Sequence, residues 1–167
     1  VNAQQYGQRF AYLIPTNLYG PGDKFHPSVS HVIPARIKRC VEAKERGEEK
    51  MDVWGTGRAS REYLYVDDAA EAIVLAAEHL ESTEPVNLGT NREVTIRETV
   101  ELIARMVGYD GELVWDPTKP DGQPRRRVDP GRAEDLFGWR ARMPFEDGLL
   151  NTIDWYLTNR AEAEREP

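Results

Sequence analysis

The five residues Phe10-Ala11-Tyr12-Leu13-Ile14 form a nearly continuous apolar run that stops at Pro15. A short run that is apolar at successive positions predicts a strand covered on both faces, as in a parallel sheet. Parallel strands need crossover connections, usually helices, so this run commits the chain to an α/β architecture. The segment behind it, Pro15-Thr16-Asn17-Leu18-Tyr19-Gly20-Pro21-Gly22-Asp23, reads as turn chemistry. A loop leaving the carboxyl end of a parallel strand is where open α/β sheets bind ligands.

The remaining chain alternates helix and strand signals. Ser30 is placed to cap a helix starting near His31, with Ile33, Ile37, Cys40 and Val41 on its apolar side. Met51-Asp52-Val53-Trp54 is a short strand that turns at Gly55-Thr56-Gly57. Glu62 to Val66 alternates as a strand, and Asp67 and Asp68 open an alanine-rich helix over 69–77. Val86-Asn87-Leu88 is a strand. Thr95 and Glu98 form a capping box for a helix that ends at Gly108. Leu113-Val114-Trp115 is a strand, and Lys119 to Pro124 is a loop. Asp129-Pro130 opens a short helix to Phe137. Phe145 to Tyr156 is the last helix, with Leu149, Leu150, Ile153 and Tyr156 on one side.

Composition narrows the function. The 167 residues hold 22 Lys+Arg against 29 Asp+Glu, a net charge of -7. A general nucleic-acid binder would show a basic excess, so no nucleic-acid partner is expected. No apolar run approaches the roughly 20 residues that cross a bilayer, so no membrane partner is expected either. Cys40 is the lone cysteine, which excludes an intrachain disulfide and fits a reducing, cytoplasmic compartment. The first residues, VNAQQYGQRFAYLIP, lack the basic start and long apolar stretch of a signal peptide. They read like the tail of a helix entering a strand, so the chain is expected to begin inside a domain. His26 and His31 have no cysteine pair beside them, and no metal site is expected. Gly55-x-Gly57 lacks the third glycine of a dinucleotide fingerprint and reads as a structural turn.

Several segments carry a resemblance. They are Asn17-Leu18-Tyr19-Gly20-Pro21, Phe25-His26-Pro27-x-x-Ser30-His31-Val32-Ile33-Pro34, Val53-Trp54-Gly55-Thr56-Gly57, Arg61-Glu62-x-x-x-Val66-x-Asp68 and Lys119-Pro120-Asp121-Gly122-Gln123-Pro124-Arg125. With them the chain resembles the extended short-chain dehydrogenase/reductases. Within that branch it is similar to the GDP-L-fucose synthase family, which epimerises GDP-4-keto-6-deoxy-D-mannose at C3 and C5 and reduces it at C4 with NADPH. Lys24 stands where the family usually has Asn. The family's Gly-x-x-Gly-x-x-Gly phosphate loop, Tyr-x-x-x-Lys pair, Ser and catalytic Cys are absent, and Cys40 lies in a different segment and reads as a core thiol. The resemblance thus implies the C-terminal half only. That half holds the last strands and helices of a Rossmann-type NADP-binding domain, interleaved with a small mixed α/β domain for the GDP-sugar.

The resemblance also implies roles. His31 is the general acid of the epimerisations, for which a side chain titrating near neutrality suits best, and it borders the nicotinamide. Pro15, Thr16, Asn17 and Leu18 lie along the NADP, with Asn17 also near the sugar. Arg39, Trp54, Arg61, Asp121 and Arg126 bind the GDP-sugar, arginine because its fork donates to two phosphate oxygens. Read without the family, His31 only packs or caps, Arg39 is a solvated helix residue, Trp54 is a core aromatic and Arg61 pairs with Glu62 or Asp67. The parent is expected to be a homodimer. Rival readings are another extended-branch nucleotide-sugar epimerase or dehydratase, and a non-catalytic nucleotide-sugar-binding module. Because the phosphate loop and Tyr/Lys pair are absent, the purified 167-residue chain is expected to be inactive with NADPH and the keto sugar. Measured turnover by this chain alone would refute that.

Overall fold

In the computed structural model, residues 5–8 and 10–165 are described. Gln5 and Tyr6 are helical, while residues 1–4 and 9 of the expected helix tail lie outside the described residues. In chain order the strands are β1 (Leu13–Pro15), β2 (Asn17–Tyr19), β3 (Lys50–Trp54), β4 (Ser60–Tyr65), β5 (Val86–Leu88), β6 (Glu93–Thr95), β7 (Glu112–Asp116) and β8 (Arg125–Arg126). The helices are α1 (Val32–Glu45), α2 (Val66–His79), α3 (Ile96–Val107), α4 (Gly131–Phe137), α5 (Phe145–Thr158) and α6 (Arg160–Ala163). The α/β class read from the sequence is the one observed.

Strand β4 is the hub. Its first half pairs with antiparallel β6 and parallel β8, and its second half pairs with parallel β2. Strands β1 and β5 form a separate parallel pair, as do β3 and β7. Thr16 lies where the chain leaves the β1–β5 sheet for the β2–β4 sheet.

Two cores flank these sheets. One gathers Leu64, Leu88, Phe137 and Trp139 against the alanine face of α2. Alanines at 69, 72 and 76 let that helix lie close to the sheet. The other packs α1, α3 and α5 through Ile37, Cys40, Ile103, Leu149 and Tyr156. Phe25 stacks on Tyr156 with ring centroids 4.3 Å apart, and Tyr63 stacks on Phe145 at 5.3 Å. Gly148 sits where any side chain would strike the Tyr19 ring. Cys40 is fully buried in this core, and burial pushes its thiol up to about 11.

Several expectations need correction. The segment read as a turn after Pro15 contains a strand, β2, because β4 supplies hydrogen-bonding partners that no local propensity announces. β6, β8 and α6 were likewise missed; β6 and β8 are two or three residues long and are also made by pairing with β4. The apolar run is not covered on both faces: Leu13 packs inward, whereas Tyr12, just before β1, is 58% and Ile14 38% exposed. Ser30 does not cap α1; His31 is the N-cap residue, in extended conformation and without a side-chain cap bond. Pro130 rather than Asp129 occupies the N-cap of α4, although Asp129 Oδ1 accepts from the Gly131 N–H. Leu150 is exposed, because one helical step of about 100° carries it off the Leu149–Ile153–Tyr156 face. Asp68 does more than favour a helix start: it is buried, and Oδ2 accepts from the Arg142 and Met143 N–H groups.

The capping box at α3 is present in full. Thr95 Oγ1 accepts from the Glu98 N–H at 3.1 Å, and Glu98 Oε2 accepts from the Thr95 N–H at 2.8 Å. Thr95→Ala removes the first bond and is expected to cost about 1 kcal/mol. Thermal unfolding should show it as a Tm lower by roughly 3 °C.

Candidate functional site

The chain passes from β1 to β2 through Thr16, and that crossing forms one wall of a cavity of about 520 Å³. This volume lies within the range of small-molecule sites. Thr16 is fixed from two sides. Its N–H donates to the Leu88 carbonyl at 2.9 Å, and Oγ1 donates to the Glu62 carbonyl at 3.0 Å. Asn17 Nδ2 donates to the same Glu62 carbonyl at 2.8 Å. Asn17 Oδ1 has no partner among the described residues. Pro15 and Leu18 add apolar surface on either side, joined by Val32 and Pro34 from the start of α1. Gly20, with φ +150, brings the backbone so close to Val66 that a Cβ would lie 2.5 Å from its Cγ1.

His31 lines the same cavity and is exposed to it. Its carbonyl accepts from the Ala35 N–H at 3.0 Å, while the ring makes no hydrogen bond among the described residues. Asp23 also lines the cavity. Burial raises its carboxyl above the usual range, against the opposing pull of the Lys24 N–H and the His31 ring. Tyr63 contributes its ring to the wall, and burial raises its phenol.

Two cations complete the wall. Arg61 and Arg126 sit in register on the neighbouring parallel strands β4 and β8, and both line the cavity. Arg61 Nη1 donates to its neighbour's carbonyl, Ser60 O, at 2.6 Å. Neither guanidinium meets a carboxylate among the described residues. The expected pairing of Arg61 with Glu62 or Asp67 is absent. The other two arginines of the 125–127 run are committed elsewhere: Arg125 Nε donates to Glu93 Oε1 at 2.6 Å and Arg127 Nη2 to Asn91 Oδ1 at 3.1 Å.

Behind this wall lies the fully buried side chain of Glu62. Oε1 accepts from the Thr90 and Asn91 N–H groups at 2.6 and 2.8 Å, and Oε2 accepts from the Val128 N–H at 2.9 Å. One residue therefore anchors Thr16 and Asn17 through its carbonyl and the strand bearing Arg126 through its carboxylate.

Of the residues singled out from sequence, the cavity brings together Pro15, Thr16, Asn17, Leu18, His31, Arg61 and Arg126. Trp54 and Asp121 form a separate corner. Trp54 is 64% exposed, so it is no core aromatic, and Lys119 Nζ lies 5.7 Å from its ring centre. Asp121 accepts from Thr56 N–H and Oγ1, both at 2.6 Å, which holds its carboxylate below the usual range. The corner adjoins Arg61, since a Cβ on Gly122 would lie 3.8 Å from Arg61 Nη2. Arg39 does not reach the cavity; Nη2 donates to Glu48 Oε2 at 2.6 Å. Asp23, Tyr63 and Val66 were missed. Asp23 belonged to a recognised turn, and Tyr63 to a recognised strand, but nothing local says which face either presents. No group of three or more His, Cys, Asp or Glu among the described residues is placed to hold a metal ion. No helix among them is long and apolar enough to cross a membrane.

Residues 2–89 match the model of the NAD dependent epimerase/dehydratase family. The chain belongs to that family. It is 51% identical over 146 residues to GDP-L-fucose synthase 1 of Arabidopsis thaliana, covering 87% of this chain and 45% of that protein. It is 45% identical over 161 residues to probable GDP-L-fucose synthase 1 of Oryza sativa, covering 96% and 49%. The chain thus spans about half the length of the curated relatives it matches. Among solved structures, a GDP-L-fucose synthetase from Naegleria fowleri bound to NADP superposes with a TM-score of 0.89 at 30% identity, covering 98% of this chain and 52% of that one.

Glu62→Gln would place an amide NH2 against backbone donors. Breaking a buried charged cluster in this way is expected to cost about 3 kcal/mol. Calorimetric unfolding should show a Tm lower by roughly 10 °C. A shift under 2 °C, taken as about 0.5 kcal/mol, would show that the carboxylate is not an anchor.

Proposed function

We propose that this chain supplies the sugar-nucleotide half of a GDP-L-fucose synthase, which converts GDP-4-keto-6-deoxy-D-mannose to GDP-L-fucose. One observation carries this reading. Arg61 and Arg126 stand side by side over the His31 cavity with no carboxylate among the described residues to neutralise them. Like charges at paired strand positions repel, and an anion between them removes the penalty. A diphosphate suits two guanidinium forks. The open corner of Trp54 and Asp121 beside Arg61 offers a flat aromatic face for the guanosine end. Arg39 is held by Glu48 and would have to leave that partner to join the diphosphate.

The nicotinamide end of NADP would lie against Pro15, Thr16, Asn17, Leu18 and His31. Pro15, Leu18, Val32 and Pro34 give a planar ring an apolar wall, and the free Asn17 Oδ1 accepts from an amide or hydroxyl. NADPH supplies the hydride that reduces C4. C3 and C5 both flank the keto group, so each can give its proton to a base, the role the resemblance gives to the catalytic Cys outside this sequence, and form an enolate. Reprotonation from the other face inverts the centre. His31 gives that proton: its ring is exposed to the cavity and has no competing hydrogen bond. The core around β1 and β5 belongs with the cofactor domain, and the core of α1, α3 and α5 with the sugar-nucleotide domain. The whole enzyme is a homodimer of the cytoplasm, where a free thiol such as Cys40 persists.

Isothermal calorimetry with GDP tests the first part. Binding is expected, and joint Arg61→Ala and Arg126→Ala substitution should weaken it at least tenfold. No heat from GDP with the intact chain would end this reading. In a polypeptide that also carries the phosphate loop and Tyr/Lys pair, His31→Asn should slow epimerisation by about 10²–10⁴-fold. Deuterium uptake at C3 and C5 measures it, and unchanged uptake removes His31 from the role.

A further inference from the structure

Between Asp23 and His31, which both line the cavity, the chain makes an excursion over 24–30. Phe25 is the one residue of that excursion that is fully buried, and the carboxyl-terminal end of the chain holds it. Its N–H donates to the Ala163 carbonyl of α6 at 3.0 Å, and its ring stacks on Tyr156 of α5. The Val29 and Ser30 N–H groups then both donate to the His26 carbonyl, at 3.1 and 3.0 Å, so a closed turn rather than slack chain joins Phe25 to His31. Ile33 and Ile37 root α1 in the core. His31 precedes them with extended backbone and no side-chain cap bond, so the loop, not the helix, directs its ring.

A helix as short as α6 does not stand alone, because nucleation costs more than one turn of hydrogen bonds returns. Glu164, just behind it, ties it down. Lys38 Nζ of α1 lies 2.5 Å from Glu164 Oε2, and Oε1 accepts from the Tyr156 hydroxyl at 2.6 Å and from Arg160 Nε at 3.0 Å. Arg160 is held in turn by the last residue of α1, since Nη1 donates to Glu45 Oε1 at 2.6 Å. A single exposed ion pair adds little, but a network across three helices resists displacement as a unit. We propose that α6 is a clamp on the loop that carries His31, and that Glu164 is a positioning residue which, through the Ala163–Phe25 bond, sets the His31 ring in the cavity. The proposal rests on the reading of His31 given above.

Hydrogen exchange on the 167-residue chain tests the clamp. Glu164→Ala should speed exchange of the Phe25, Val29 and Ser30 amides about tenfold and leave those of Thr16 and Thr90, beside Glu62, unchanged. Tyr156→Phe deletes one bond of the network, keeps the ring under Phe25 and should act in the same direction by a smaller factor. Unchanged exchange at Phe25, Val29 and Ser30 in Glu164→Ala would overturn the proposal. So would an equal rise at Thr16 and Thr90, which marks a general loss of stability. In a polypeptide that also carries the phosphate loop and Tyr/Lys pair, Glu164→Ala should lower kcat for epimerisation about tenfold, with KM for the keto sugar within about twofold, because Arg61 and Arg126 lie outside the clamp. Glu164→Gln, whose Oε1 still accepts from Tyr156, should recover part of that kcat. An unchanged kcat in Glu164→Ala would overturn the positioning role, whatever KM does. If His31→Asn leaves deuterium uptake unchanged, the reading of His31 falls and the catalytic part with it, while the exchange arm still judges the clamp.

Discussion

The buried carboxylate of Glu62 is the interaction on which the rest depends. Removing a charge from water is expensive, and only full hydrogen bonding offsets it. Here three backbone N–H groups from two distant loops supply the bonds. Those loops cannot drift without stranding the charge. The same residue's carbonyl holds Thr16 and Asn17. Glu62 thus converts one energetic necessity into a fixed geometry between the β1–β2 crossing and the strand bearing Arg126. Its neighbour Arg61 is delivered to the cavity by strand alternation.

The cavity shows the opposite economy. Many cations of this acidic protein pair with carboxylates, among them Arg92 with Glu146, Arg125 with Glu93, Arg140 with Glu134 and Arg160 with Glu45. In the cavity wall, Arg61 and Arg126 meet no carboxylate among the described residues. Anions are drawn to such a patch even though the net charge is negative, because local fields decide binding. His31 adds an exposed ring at the rim. The site is therefore polar where a ligand must be recognised and apolar along Pro15, Leu18 and Val32, where a flat ring can lie.

Much of the fold was legible in short-range signals. Thr95, Glu98 and Gly108 bound α3 because capping bonds are local and their residue types are few. The alanine run after Asp67 and Asp68 marked α2. Strands β3, β5 and β7 showed as apolar segments between turns. By contrast β2, β6 and β8 have two or three residues each and exist because β4 pairs with them. The exposed outer face of β1 was equally hidden: an apolar run shows that a strand suits burial, not what covers it.

The sequence alone determined the α/β class and the ends of α3, which follow from local propensity and capping, and its resemblance to a known family singled out Thr16, Asn17, His31 and Arg61. Only the tertiary structure decided which of the arginines at 125, 126 and 127 faces the cavity and that Arg39 is tied to Glu48. Such outcomes depend on which distant segments become neighbours, and a sequence read along one dimension does not contain those distances.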